Sequence, residues 1–277
     1  MGYAELLARM AENVTPDIQE GDYEKNGLLY CGKCNTPKQT IIELGDTQIK
    51  PYCMCECAIA QKEQEDKRDR ITAIKQQIAR NRAVGFSEAE LQNFTFAADD
   101  KANPKVSEIA QKYVQNFKKF RQEGKGLMLY GGTGTGKTFI AACITNALLD
   151  RGYKCLMTNF PRVINTISGM YEGKQQYIDD LNNYQLLVID DLAIERQTEY
   201  TAEIVQNVID SRYLSGKPLI VTTNLTYKEF LNPVDIRKQR LYSRLKQMCL
   251  PIEVKGEDRR EQKLSANFAE MSSLLGL

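Results

Sequence analysis

Gly131-Gly132-Thr133-Gly134-Thr135-Gly136-Lys137-Thr138 satisfies the pattern G-x-x-x-x-G-K-[ST] at every fixed position. Glycines let a backbone wrap so that successive N–H groups point at one anion. A lysine and a hydroxyl closing such a loop suit a polyphosphate and its divalent cation. Lys137 is expected to reach the β and γ phosphates of ATP, and the Thr138 hydroxyl to ligate Mg²⁺. The loop lies between a short apolar run, Gly126 to Tyr130, and a helical pattern that would aim its positive end at the same phosphates.

A second set of polar groups follows Leu186-Leu187-Val188-Ile189, which is apolar at every position, as a strand covered on both faces should be. It ends in Asp190-Asp191. Two acids after an apolar run can cap a helix. Beside a phosphate loop they instead deliver carboxylates to the sheet edge where ligands bind. Asp190 is expected to hold Mg²⁺ through its water shell, and Asp191 to polarise the attacking water as a catalytic base. A third run, Leu219 to Thr223, ends at Asn224. That amide can hydrogen-bond the attacking water or the γ-phosphate, the role of a sensor residue; it can also simply form the turn before Leu225-Thr226.

Five of the eight cysteines crowd the first sixty residues. Cys31-Gly32-Lys33-Cys34 is a C-x-x-C knuckle able to place two thiolates on one metal, and Cys53, Cys55 and Cys57 follow. Four thiolates make a closed tetrahedral site for structural Zn²⁺, so four of these five are expected to bind it. A redox C-x-x-C is the rival, but no thioredoxin-like βαβ pattern surrounds it. So small a segment buries little apolar surface, and the metal would supply its stability. Cys143, Cys155 and Cys249 lie in apolar runs and are expected in the core.

These groups need elements to hold them. Lys137 to Arg151 and Thr201 to Ser215 show helical spacing, each with a glycine after it. Cys155 to Met157, Pro218 to Thr223 and Leu250 to Val254 read as further buried strands. The alternation predicts an α/β fold, a parallel sheet flanked by helices. Three regions are expected: a zinc-binding segment over 1–58, opening on a short helix with Leu6, Leu7 and Met10 and broken at Thr15-Pro16; a charged helical linker over 59–90, ended by Gly85; and a nucleotide-binding domain over 91–277.

Composition excludes some chemistry. The absence of histidine removes imidazole acid–base catalysis and histidine metal ligands, while a net charge of +1 does not define a partner. No segment approaches the roughly 20 apolar residues of a membrane helix, and the first residues lack the pattern of a secretory signal. The expectation is a cytoplasmic protein with reduced thiols and no membrane contact.

The set GGTGTGKT, LLVIDDLAIERQTEY, VTTNL and RLYSRL, in this order, resembles the DnaC/DnaI-type helicase loaders and their IstB relatives, within the AAA+ ATPases. The likeness covers roughly 91–265, and the run after Asp190-Asp191 is its most telling part. It implies ATP hydrolysis between neighbouring subunits of a ring or spiral, with Arg244 reaching the next subunit's γ-phosphate, Arg240 as a second contact, and Arg260 sensing nucleotide. A basic helix here can also be plain solvated surface. The likeness further favours Cys55 and Cys57 as the second zinc pair, with Cys53 as substitute. It implies loading of a DnaB-type replicative helicase onto single-stranded DNA, with Arg196, Tyr200 and Phe160 near the DNA-facing segments, where each can equally be packing or salt-bridged surface; the alternative is an IstB-type helper of a transposase. Two features depart from the wider superfamily. Asp191 stands where Glu is usual, consistent with slow hydrolysis, and too few residues follow Val254 for a helical lid. A scaffold that binds nucleotide without hydrolysing it is the rival of another class, against which Lys137, Asp190, Asn224 and Arg244 argue.

Overall fold

Near the N-terminus, strands of three residues pair into two antiparallel hairpins, β1 (Tyr23–Lys25) with β2 (Leu28–Tyr30) and β3 (Ile42–Leu44) with β4 (Thr47–Ile49). Strands so short show no hydrophobic period, so the sequence gives no sign of them. The computed structural model describes residues 18–44, 47–192, 198–233 and 235–258, with 268, 271, 274 and 275. The expected N-terminal helix and the Thr15-Pro16 break lie outside the described residues, as do Arg196 and Arg260.

Among the described residues, side-chain bonds add to the backbone pairing of the hairpin segment. The Asp22 carboxylate accepts from Lys38 Nζ at 2.6 Å and from the backbone N–H groups of Gln19 (2.9 Å) and Gly32 (3.0 Å). These donors, Lys38 foremost, hold its pKa down at about 2. Helix α1 (Glu56–Val84) follows and is polar nearly all round, Asn81 being its one buried residue.

The chain divides into two compact units, Met1–Lys75 and Gln76–Leu277. In the second, the last turns of α1 are anchored by the Asn81 amide, which donates to the carbonyls of Gly152 and Tyr153. The helix ends at Val84, directly before the Gly85 expected to stop it. The next residues run alongside a strand instead, with Phe86 bridging Met157 in parallel and Ser87 N–H donating to Met157 O. Gly85 permits the change, since a Cβ there would press on Asn81 O and the Leu149 side chain.

Five parallel strands form the sheet of this unit: β5 (Gly126–Tyr130), β6 (Cys155–Asn159), β7 (Leu186–Asp190), β8 (Leu219–Thr223) and β9 (Cys249–Glu253), in spatial order β6-β7-β8-β5-β9. Alternate residues feed opposite cores. Leu187, Ile189, Leu219 and Val221 face one side; Leu186, Val188, Ile220, Leu127 and Leu129 face the other. Helices α2 (Pro104–Gln115), α3 (Phe117–Glu123) and α4 (Lys137–Asp150) contribute to the second core. Helices α5 (Phe160–Ser168), α6 (Lys174–Leu181), α7 (Glu199–Leu214), α8 (Tyr227–Leu231) and α9 (Ile236–Met248) contribute to the first. The expected α/β architecture is therefore present. No described helix is long and apolar enough to cross a membrane.

One charge sits inside this core. Arg212 of α7 is fully buried and donates to the carbonyls of Pro218, Tyr184 and Leu181, joining the start of β8 to the chain entering β7. Burial lowers its pKa to about 10, still far above neutrality, so the guanidinium stays charged.

Candidate nucleotide site and cysteine cluster

The phosphate loop leaves β5 at Tyr130 and enters α4 at Lys137, at the carboxyl edge of the sheet. Gly131, Gly134 and Gly136 take positive φ angles of 150°, 70° and 98°, which glycine adopts without steric cost. A Cβ at Gly134 would also overlap the Asp258 carboxylate. Thr135 Oγ1 donates to Gly132 O at 3.0 Å, and Lys137 Nζ donates to the carbonyls of Gly131 (3.0 Å) and Gly132 (2.5 Å). The lysine is thus held along the loop that would receive phosphate.

Thr138 and Asp190 come together from different elements. The Thr138 hydroxyl lies 3.0 Å from each carboxylate oxygen of Asp190 and donates toward them. Burial pushes the Asp190 carboxyl above the ordinary carboxylate range, while the Thr222 and Thr138 hydroxyls pull it back. A half-desolvated carboxylate beside a hydroxyl oxygen and a phosphate loop is a hard-oxygen donor set of the kind Mg²⁺ takes, so the residues fit that ion.

The structure brings Lys137, Thr138 and Asp190 to one edge. Asp191 follows directly, exposed and with φ of 53°, the left-handed region a non-glycine residue rarely occupies. Asn224 comes one residue after β8 and is exposed. Arg244 is bound on its own chain, with Nε donating to Asp210 Oδ1 at 3.2 Å and the guanidinium 4.2 Å from the Tyr213 ring centroid. Arg240, one turn earlier on α9, is exposed. Phe160 is buried in the core at the start of α5, so it offers no face to DNA.

Two neighbours of the site escaped the sequence reading. Thr222 donates to Asp190 Oδ1 at 2.6 Å and accepts from Asp191 N–H at 2.8 Å. Its only signal is a polar residue in an apolar strand, level with the acids. Asn159, paired with Asp190 across β6 and β7, donates to Glu88 Oε1 at 3.1 Å, placing another acid near Asp190. No motif marks Glu88.

In the first unit, the sulfurs of Cys31, Cys34, Cys55 and Cys57 all lie within 4.8 Å of one another. Cys57 Sγ is 3.5 Å from Cys31 Sγ and 3.4 Å from Cys55 Sγ. Tetrahedral Zn–S bonds of about 2.3 Å require sulfurs about 3.8 Å apart, so this set fits zinc. The Cys31 sulfur also accepts the backbone N–H groups of Cys34 and Lys33, as a metal knuckle does. Crowding splits the thiols: the Thr36 hydroxyl leads the causes lowering Cys34 to about 5, and the Cys55 and Cys31 thiols push Cys57 up to about 12. Cys53 stands apart, exposed, with its thiol toward Pro37 O. Cys143, Cys155 and Cys249 are buried as expected, and burial raises each to about 12.

With this geometry in view, comparison with known proteins places the chain. The sequence profile described as "IstB-like ATP binding protein" matches residues 52–267. The chain belongs to the IstB-like ATP-binding family. Among curated relatives, this IstB-like protein is 24% identical over 189 residues to the replicative helicase loader DnaI of Bacillus subtilis, covering 63% of this chain and 61% of DnaI. It is 29% identical over 126 residues to the replicative helicase loader DnaC of Escherichia coli, covering 43% of this chain and 49% of DnaC. A Mycobacterium tuberculosis protein described as ATP-binding and carried in an insertion sequence is 28% identical over 159 residues, with 55% and 61% coverage. The chain therefore spans between about half and three fifths of these relatives. Solved structures of DnaI (TM-score 0.53, 21% identity, covering 64% of this chain and 96% of that one) and of the DnaC helicase loader (0.51, 22%, 61% and 100%) share its fold.

Proposed function

We propose that this IstB-like protein is an ATPase that loads a DnaB-type replicative helicase onto single-stranded DNA. The observation that carries the ATPase part is the meeting of Thr138 with Asp190 beside Lys137. Mg²⁺ would supply positive charge for the phosphoryl group being transferred. Thr138 and Asp190 would hold it. Lys137 would hold the β and γ phosphates, Asp191 and Asn224 would orient the attacking water, and Gly131 to Gly136 would wrap the triphosphate. Arg244, with Arg240 and Arg260, would serve a neighbouring subunit's nucleotide in a ring or spiral.

The loader part rests on the relatives named helicase loaders and on the cysteine cluster. Cys31 and Cys34 lie ahead of the family match at residue 52, while Cys55 and Cys57 lie just inside it, so the cluster straddles the start of the shared region. A zinc-held segment of this kind suits helicase docking. Tyr200, nearly half exposed with Lys174 Nζ 3.1 Å from its hydroxyl, is the kind of aromatic and basic pairing that supports a single-stranded DNA contact. The cytoplasm, with its reduced thiols, is the compartment this reading requires.

Capture of the tagged protein from its source cell, with and without ATP, tests the reading. The replicative helicase should co-purify with wild type and be lost from Cys31→Ser/Cys34→Ser. The family's IstB name and the insertion-sequence relative favour a second reading, an ATPase helper of a transposase. Capture of a transposase and no helicase would establish that one instead.

A further inference from the structure

We propose that Thr222 is a positioning residue for ATP hydrolysis, fixing through one hydroxyl which acid faces the metal and which faces water. The inference rests on the ATPase reading above. Thr222 lies in β8, the strand beside β7, and is 1% exposed. Its hydroxyl has one proton and two lone pairs. The proton goes to Asp190 Oδ1 at 2.6 Å, and a lone pair takes the Asp191 N–H at 2.8 Å. The Thr222 carbonyl then accepts the Leu192 N–H at 2.8 Å. One residue thus binds three consecutive positions of the opposing chain.

The middle position is the strained one. Asp191 turns through φ of 53° as the chain leaves β7, and its side chain is exposed where Asp190 is half-buried. Thr138 also donates to Asp190, but at 3.0 Å and from the phosphate-loop helix. The bond from β8 is shorter and comes from the sheet, so this hold on the Asp190 carboxylate does not pass through the loop.

Valine has nearly the shape of threonine without the hydroxyl. Thr222→Val would leave the Asp191 N–H unpaired and take from Asp190 its shortest hydrogen bond. The phosphate loop is untouched, so binding of mant-ADP in EDTA should match wild type. Tightening of that binding by Mg²⁺ should shrink, and kcat should fall about tenfold or more with KM for ATP little changed, the scale of one lost charge-assisted hydrogen bond. Thr222→Ser, which keeps the hydroxyl, should restore both to within about threefold.

The measurements are mant-ADP titration with and without MgCl₂, steady-state turnover, and thermal unfolding of each variant. Wild-type Mg²⁺ response and kcat in Thr222→Val would overturn the inference, and so would a Thr222→Ser protein as impaired as the valine variant. If Thr222→Val unfolds early, Thr222→Ala against Thr222→Ser decides the same question. If the wild type itself neither binds mant-ADP nor turns over ATP, the ATPase reading fails, a result distinct from failure of the inference.

Discussion

Thr138 and Asp190 meet from separate elements, the threonine at the start of α4 and the aspartate at the end of β7, with the hydroxyl 3.0 Å from both carboxylate oxygens. A threonine whose proton is committed to a carboxylate turns its lone pairs outward, the orientation a hard cation needs. Asp190→Asn keeps a partner for the hydroxyl and removes the charge. ATP turnover should then fall roughly a hundredfold, the scale of losing one group fixed against transition-state charge. Nucleotide binding without Mg²⁺ should persist, as equilibrium fluorescence titration can show.

Gly134 is required twice over, by its φ of 70° and by the Asp258 carboxylate packed against it. Gly134→Ala should destabilise the fold by about 1–3 kcal/mol and abolish nucleotide binding. Chemical denaturation and mant-ADP titration report the two effects separately.

Zinc analysis tests the thiol set directly. The purified protein should carry one zinc per chain. Cys31→Ser, Cys34→Ser, Cys55→Ser or Cys57→Ser should lose it, and Cys53→Ser should keep it, because Cys53 stands outside the group of four. Retention in Cys57→Ser together with loss in Cys53→Ser would reverse the assignment.

The Asp22 carboxyl sets a pH dependence of known sign. Its pKa is about 2 in the fold against an ordinary 3.8. A depressed carboxyl adds stability that is full above about pH 4 and lost as pH falls toward 2. Carbonyl-carbon NMR titration should give a midpoint near 2, and Lys38→Met should move it up toward the ordinary value.

Arg212 should be hard to replace. Arg212→Met leaves the Pro218, Tyr184 and Leu181 carbonyls without their guanidinium donors in a buried setting. A loss of about 2–4 kcal/mol is expected, measured by urea unfolding.

The sheet and the phosphate loop were legible in the sequence because both are local signals. Leu186 to Ile189 and Leu219 to Val221 are apolar at successive positions because both of their faces are covered. The loop's glycines are spaced by the anion they would wrap. What stayed hidden depends on partners far along the chain. Thr222 reads as an ordinary β-branched strand residue until β8 lies beside β7, and Asp258 gains meaning only where it meets Gly134. Arg212 looks like a surface residue of an exposed helix, because nothing local announces three carbonyls waiting for it. For Phe160 the sequence leaves DNA contact and packing open, and its place at the first turn of α5 decides for packing in the core. Gly85 marks the end of the helix in the sequence, but the pairing of Phe86 with Met157 depends on the open edge of β6, which no local pattern announces.

The central claim, ATP-driven loading of a helicase, is tested most directly on closed-circular single-stranded DNA, which offers no end for a ring to thread. The replicative helicase of the source cell, this protein and ATP would be incubated with the circle, and DNA-bound helicase measured after gel filtration. The account predicts helicase retained on the circle only with this protein present, and not with Asp190→Asn. Equal retention without the protein, or none with it while ATP turnover is intact, would contradict the claim.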